Sequence, residues 1–168
     1  TFPTLSREAL LEDKTQFKNT LLKSILQIFF FSLPASVLIL VLRVPLVRIA
    51  FGAKSFPWDA TIDTGRSLAI LSLSIAPLAV THTLTRALHA LKDTKTPLLS
   101  GLISVVVYGA LAYLFAYYNG WGIIGLCLAL SLGNLLDFSL VYLFLVKKIG
   151  YLSLRVKLLK MLFVTVLT

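Results

Sequence analysis

Cysteine is nearly absent from this chain: the single Cys127 sits inside an apolar run, which excludes a disulfide framework and any cysteine-based metal site. Acids are scarce too, with seven Asp and Glu against sixteen Lys and Arg in 168 residues and a net charge of +9. In a polar chain that imbalance would point to nucleic acid. Here the cations gather at the ends of apolar runs, a pattern of lipid headgroups and membrane topology, so nucleic acid is not an expected partner. Also missing are a phosphate-binding glycine loop, HExxH, a CxxC pair and a G-x-S-x-G elbow. The chain is therefore not expected to be an enzyme, and no cofactor or metal is expected. It opens at Thr1 with neither Met nor a signal-peptide pattern, and its last apolar run, residues 158–168, is about half the length of a bilayer crossing. Both ends read as those of an internal fragment.

What the chain has in quantity is apolar side chain, 58% of its residues with a mean hydropathy of +0.91. No soluble domain of this size could bury so much. The expected fold is all-α, a polytopic transmembrane helix bundle of about four full crossings plus a partial one. Residues 1–20 read as a charged, amphipathic juxtamembrane segment. The first crossing follows over 21–51, with Pro34 expected to kink it and Pro45 to break it near the far surface. Residues 52–59 form a loop with Trp58 at headgroup depth, and Asp59 or Thr61 is the expected N-cap of a second crossing over 60–91 that carries Pro77 as a further kink. A polar joint over 92–96 ends at Thr96, read as an N-cap, with Pro97 opening the third crossing, 97–118. The turn 119–122 leads to a fourth crossing over 123–146, stopped by Lys147, Lys148 and Gly150. A basic segment, 147–157, precedes the truncated start of a fifth, 158–168. There is no internal repeat and no low-complexity segment. The loops give the orientation: twelve of the sixteen cations fall on the side of the 92–96 joint, which should therefore face the cytoplasm.

Few residues inside the spans carry chemistry. In the fourth crossing Gly125, Ala129, Gly133 and Asp137 recur every four residues, the spacing of a close helix contact. A carboxyl at midspan is costly, so Asp137 is a candidate for a proton or substrate role; the alternative is a protonated or Asn134-assisted acid that joins helices. His82, Arg86 and His89 share one face near the cytoplasmic end of the second crossing, with Asp93 a turn beyond, and that face could meet a lipid-linked phosphate. The alternative is that Arg86 snorkels to the headgroups with the histidines at the interface. Ser100, Ser104 and Tyr108 form a stripe on the third crossing that suits either a cavity wall or interhelical hydrogen bonds.

Several blocks occur in an order and spacing that resemble a known family: Phe2-Pro3-Thr4-Leu5-Ser6-Arg7, Leu33-Pro34-Ala35, and Phe51-Gly52 with Phe56 and Asp59-Ala60. Arg86-Ala87 with Asp93-Thr94-Lys95-Thr96-Pro97 and Gly122-Ile123-Ile124-Gly125-Leu126 complete the set. Together they make the chain similar to the C-terminal part of the MurJ/MviN lipid II flippases, within the larger group of multidrug, oligosaccharidyl-lipid and polysaccharide exporters. It departs from the family at Tyr108 and Asp137, where Asn is frequent, and at His89, where an aromatic residue is usual.

The resemblance implies fourteen helices in two lobes plus two extra helices, this chain holding the end of helix 8, helices 9 to 12 and the start of helix 13. It further implies a multi-pass protein of the bacterial inner membrane, moving an undecaprenyl-pyrophosphate-linked peptidoglycan precursor to the outer leaflet by alternating access, without covalent chemistry. The implied partners are that precursor, membrane lipids and an N-terminal lobe carrying the main cationic cavity. The alternatives are an exporter of another lipid-linked glycan or of a small cationic molecule, and a membrane scaffold that transports nothing.

Overall fold

The computed structural model describes residues 14–52 and 57–149. The expectations for residues 1–13, for the middle of the loop at 53–56 and for 150–168, with most of the basic segment and the truncated last run, lie outside the described residues. Five α-helices follow in order: α1 (Lys14–Val41), α2 (Arg43–Phe51), α3 (Trp58–Ala90), α4 (Lys95–Ala112) and α5 (Gly122–Ile149). A π-helical stretch, Tyr113–Tyr118, continues α4. Among the described residues four helical stretches are long and apolar enough to cross a bilayer: Thr15–Val41, Trp58–Ala90, Lys95–Tyr118 and Gly122–Ile149.

The boundaries differ from the sequence reading for local reasons. The first helix is already formed by Lys14, and Phe17, ahead of the apolar run, is fully buried. The break assigned to Pro45 falls at Leu42, whose φ of −87° and ψ of 11° end the first helical run. A proline ring clashes with the carbonyl four residues back, here that of Val41, so the disruption appears one turn earlier. Pro45 itself then sits in the first turn of α2, where a missing N–H is no loss. Pro34 and Pro77 lie inside α1 and α3, and both helices continue through them. Neither Asp59 nor Thr61 caps α3: Pro57 holds that position, Asp59 lies in the first turn, and the Thr61 hydroxyl donates back to the Pro57 carbonyl at 3.0 Å. The fourth helix runs on to Ile149, so Lys147 and Lys148 form the last turn of α5, where cations suit the negative end of the helix dipole.

α3 and α5 are the most enclosed helices; α5 packs against both α3 and α4, and α1 packs against α3. One apolar cluster joins the first half of α1 (Phe17, Leu21, Ile25) to the second halves of α3 (Leu84, Leu88) and α5 (Val141, Leu145). These are the helix ends that carry Lys18, Lys23, Arg86 and Lys148, so the cation-rich end is one physical end of the bundle. At the opposite end α1 exposes Phe31, Val37, Leu38 and Val41, while α2 folds back on α3 with Val47 buried. There the Arg48 guanidinium lies 5.0 Å over the Trp58 ring, a cation–π contact suited to headgroup depth. α4 turns Leu98, Leu102, Val105 and Val106 outward. An apolar surface of that kind is stable only against lipid or protein.

The buried hydroxyls of α3 are satisfied by their own helix. Ser67, Ser72, Ser74 and Thr81 donate to the carbonyls of Asp63, Ala69, Leu71 and Pro77 at 2.7–3.0 Å. Such back-bonding lets a polar face lie buried without a partner helix and bends the helix slightly. Toward α3 a hydroxyl also reaches across from another helix: Ser131 of α5 donates to the Ile70 carbonyl at 3.0 Å.

Candidate functional site

The contact between α4 and α5 depends on small residues. A Cβ on Gly125 would lie 2.8–2.9 Å from the carbonyl of Phe115 and the nitrogen of Ala116, both backbone, so only glycine fits. That approach is made against the π-helical stretch, whose wider turns end with Asn119 N–H bonded to the Leu114 carbonyl and Trp121 N–H to that of Phe115. Two turns along α5, a Cβ on Gly133 would meet the Tyr108 Cβ at 3.2 Å. The four-residue stripe on α5 therefore faces α4 at Gly125 and Gly133, and one turn further it ends in a polar pair: buried Ser104 donates to Asp137 Oδ1 at 3.3 Å. Tyr108 is half-buried one turn beyond Ser104, and Asn134 is half-buried one turn before Asp137. Ser104 is the one hydrogen-bond partner of the Asp137 carboxyl among the described residues, and 3.3 Å makes it a long bond.

His82, Arg86 and His89 are placed elsewhere. All three are exposed on α3, on the side away from buried Val80, Leu84, Ala87 and Leu88, at the cation-rich end. Over that distance, about 10 Å along the axis, they form a ladder of donors with no ion-pair partner among the described residues. The structure thus holds the candidate residues as two separate groups, a partly buried pair between α4 and α5 and an exposed cationic face on α3.

Sequence reasoning missed the wiring of the joint between α3 and α4. Lys92 has φ of +58°, its N–H bonds the His89 carbonyl, and the Asp93 N–H bonds that of Leu88, the two bonds of a Schellman motif with lysine in the place usually taken by glycine. Thr96 does not cap α4. Asp93 does so, accepting from the Thr96 N–H at 3.1 Å and the Thr96 hydroxyl at 2.7 Å, while Thr94 already has helical angles. Its other contact is Lys148 Nζ at 2.7 Å, from the last turn of α5. The Lys148 hydrogen bond first, then those from Thr96, hold the Asp93 carboxyl well below the usual carboxylate range.

At the opposite end a cavity of about 420 Å³ opens between the starts of α3 and α5, lined by Ala60, Asp63, Thr64, Ser67, Trp121, Ile123 and Ile124. Among the described residues no group of His, Cys, Asp and Glu has the arrangement to hold a metal.

Long apolar helices, a buried row of hydroxyls on α3 satisfied by its own carbonyls and cations collected at one end define a multi-pass α-helical membrane protein. Comparison with known proteins narrows the class. A family model described as lipid II flippase MurJ matches residues 1–168. The chain is 29% identical over 159 residues to the lipid II flippase MurJ of Thermosipho africanus, covering 93% of this chain and 33% of that one. It is 27% identical over 140 residues to a probable lipid II flippase MurJ of Vibrio cholerae, covering 83% of this chain and 26% of the relative. A solved structure of a lipid II flippase MurJ in an inward closed conformation superposes with a TM-score of 0.75 at 26% identity, over 88% of this chain and 33% of that chain. The chain belongs to the lipid II flippase MurJ family, and it spans about a quarter to a third of the length of these relatives.

Proposed function

We propose that this chain supplies membrane helices to a flippase that carries lipid II from the inner to the outer leaflet of the bacterial plasma membrane by alternating access, with no covalent step. The observation that carries the reading is the family match along all 168 residues. The structure adds physical support. A lipid-linked pyrophosphate is a compact anion that must leave water-facing headgroups on one side and reappear on the other, and cations presented at the entry side lower that cost. Arg86, with His82 and His89 on the same exposed face, offers such a contact at the cation-rich end, the cytoplasmic end by the distribution of Lys and Arg. Lipid II and the surrounding lipids are then the ligands of this face, and the remaining lobe of the flippase is the partner that closes over it.

Alternating access also needs parts that move and parts that do not. The cation-rich ends of α1, α3 and α5 are fastened by their apolar cluster and by Asp93–Lys148, whereas prolines interrupt the hydrogen-bond ladders of α1 and α3 at Pro34 and Pro77. Asp137, in the α4–α5 contact, is the group we assign to coupling with a gradient or the membrane potential. The test is replacement of the resident lipid II flippase in depleted bacterial cells by the complete protein, with lipid II on the outer leaflet measured directly. Growth and outer-leaflet lipid II should both return; lysis with the precursor held inside would overturn the reading.

A further inference from the structure

The cavity between α3 and α5 lies far from the cationic face. Asp63 lies 27 residues before Ala90, the last residue of α3, about 40 Å of helix, against a hydrocarbon thickness of about 30 Å. Since Asp93 and Lys148 mark one surface, the cavity opens at the other, at or beyond headgroup depth. Its walls are of two kinds. Trp121, half-exposed and stacked on Phe115 at 5.7 Å, gives a rigid aromatic plane, and Ile123 and Ile124 extend the apolar side. The polar lining comes from α3, where Asp63, Thr64 and Ser67 carry a carboxylate and two hydroxyls.

Charge limits what such a cavity can hold. Arg66 Nη1 lies 3.3 Å from Asp63 Oδ1, so the local charge is balanced, and neither a free cation nor a free anion is favoured. Oδ2 keeps its acceptor capacity, and the Ser67 hydroxyl, which donates to the Asp63 carbonyl, still accepts. The ligand that fits is neutral, with one apolar face for the indole and hydroxyl groups along its edge, which describes a sugar ring. The volume, about 420 Å³, falls within the range of small-ligand sites, about 300–1,000 Å³.

We propose that this cavity is a carbohydrate subsite on the outer side of the membrane, with Trp121 as stacking platform and Asp63, Thr64 and Ser67 as hydroxyl partners. The inference rests on the flippase reading only for the sugar's source: the glycan head of the translocated lipid, arriving as it emerges, rather than a free saccharide.

The test is calorimetric titration of the complete protein in lipid nanodiscs with N,N′-diacetylchitobiose, and separately with the lipid-linked disaccharide. Saturable binding of either is expected, lost by about tenfold or more in Trp121→Ala, partly kept in Trp121→Phe and weakened in Asp63→Asn, with unchanged thermal unfolding. Binding of the lipid-linked form alone points to the emerging head group, and binding of both supports a general sugar site. Absence of saturable binding by the unsubstituted protein, or equal binding by Trp121→Ala, overturns the proposal. A protein that rescues depleted cells yet binds neither sugar sinks this inference alone; one that binds sugar but never rescues sinks the flippase reading instead.

Discussion

Lys148 Nζ stands 2.7 Å from Asp93 Oδ2, so the last turn of α5 is tied to the turn between α3 and α4 by two residues 55 positions apart. Asp93 does three things at once: it follows the end of α3, caps α4 and receives α5. Asp93→Ala should therefore cost more than Lys148→Ala. We expect roughly 1–2 kcal/mol for the first, mostly the cap, and under about 1 kcal/mol for the second, whose side chain is 42% exposed and screened by solvent. Thermal unfolding of the purified protein in detergent checks the order, and a double-mutant cycle isolates the ion pair.

The pH dependence follows from the same contacts. Asp93 has its folded pKa depressed, by Lys148 first and Thr96 second, so its contribution is complete above the unfolded carboxylate value of about 4 and declines as pH falls from there through the folded value. The difference in unfolding temperature between the unsubstituted protein and Asp93→Asn should be constant from about pH 5 to 8 and shrink only in stronger acid. A difference that disappears near neutrality would contradict the pairing.

Lys92 adopts the left-handed conformation at φ +58°, which costs a residue with a Cβ about 1 kcal/mol relative to glycine. Lys92→Gly should raise stability by up to that amount, and Lys92→Val should lower it by more than a surface change usually does. The paired melting curves test whether the Schellman turn is strained; a loss of stability in Lys92→Gly would argue against it.

Gly125 and Gly133 predict a graded effect. Alanine at Gly125 strikes backbone at 2.8–2.9 Å, whereas alanine at Gly133 meets the Tyr108 Cβ at 3.2 Å, a contact that α4 relieves by shifting a few tenths of an ångström. Gly125→Ala should cost about 2–3 kcal/mol or rearrange the π-helical stretch, and Gly133→Ala about 1 kcal/mol or less. Equal effects would mean that the helices slide rather than fit.

The spans themselves were legible in the sequence, because length and apolar content are local properties that each helix carries alone. What escaped depends on partners. Thr96 and Asp93 stand three residues apart and either could cap α4; only the geometry of the turn, with its left-handed Lys92, selects Asp93. The run Tyr113–Tyr118 reads the same for an α- or a π-helix, and its wider turns are visible only against the backbone that meets Gly125. Ser104 and Asp137 were each singled out by type and spacing, but their pairing is a property of two helices meeting. The cavity was invisible for the same reason: Asp63 on α3 and Trp121 in the turn before α5 are 58 residues apart, and neither is unusual in its own segment.

The Ser104–Asp137 pair allows the role of the carboxyl to be separated from that of the contact. Asn at 137 keeps an oxygen that Ser104 can still reach, so Asp137→Asn preserves the hydrogen bond while removing the charge. Ser104→Ala does the reverse, leaving the acid with no protein donor among the described residues. If the pair merely joins α4 to α5, both substitutions should leave translocation intact, with a stability change of about 1 kcal/mol at most. If the charge couples transport to a gradient, Asp137→Asn should abolish outer-leaflet delivery of lipid II while unfolding as the unsubstituted protein does, and Ser104→Ala, which keeps the carboxyl, should retain delivery. Measuring translocation in proteoliposomes at two pH values, beside the melting curves of both variants, distinguishes these outcomes. Full activity of Asp137→Asn at both pH values would remove Asp137 from the mechanism and leave it as a helix contact.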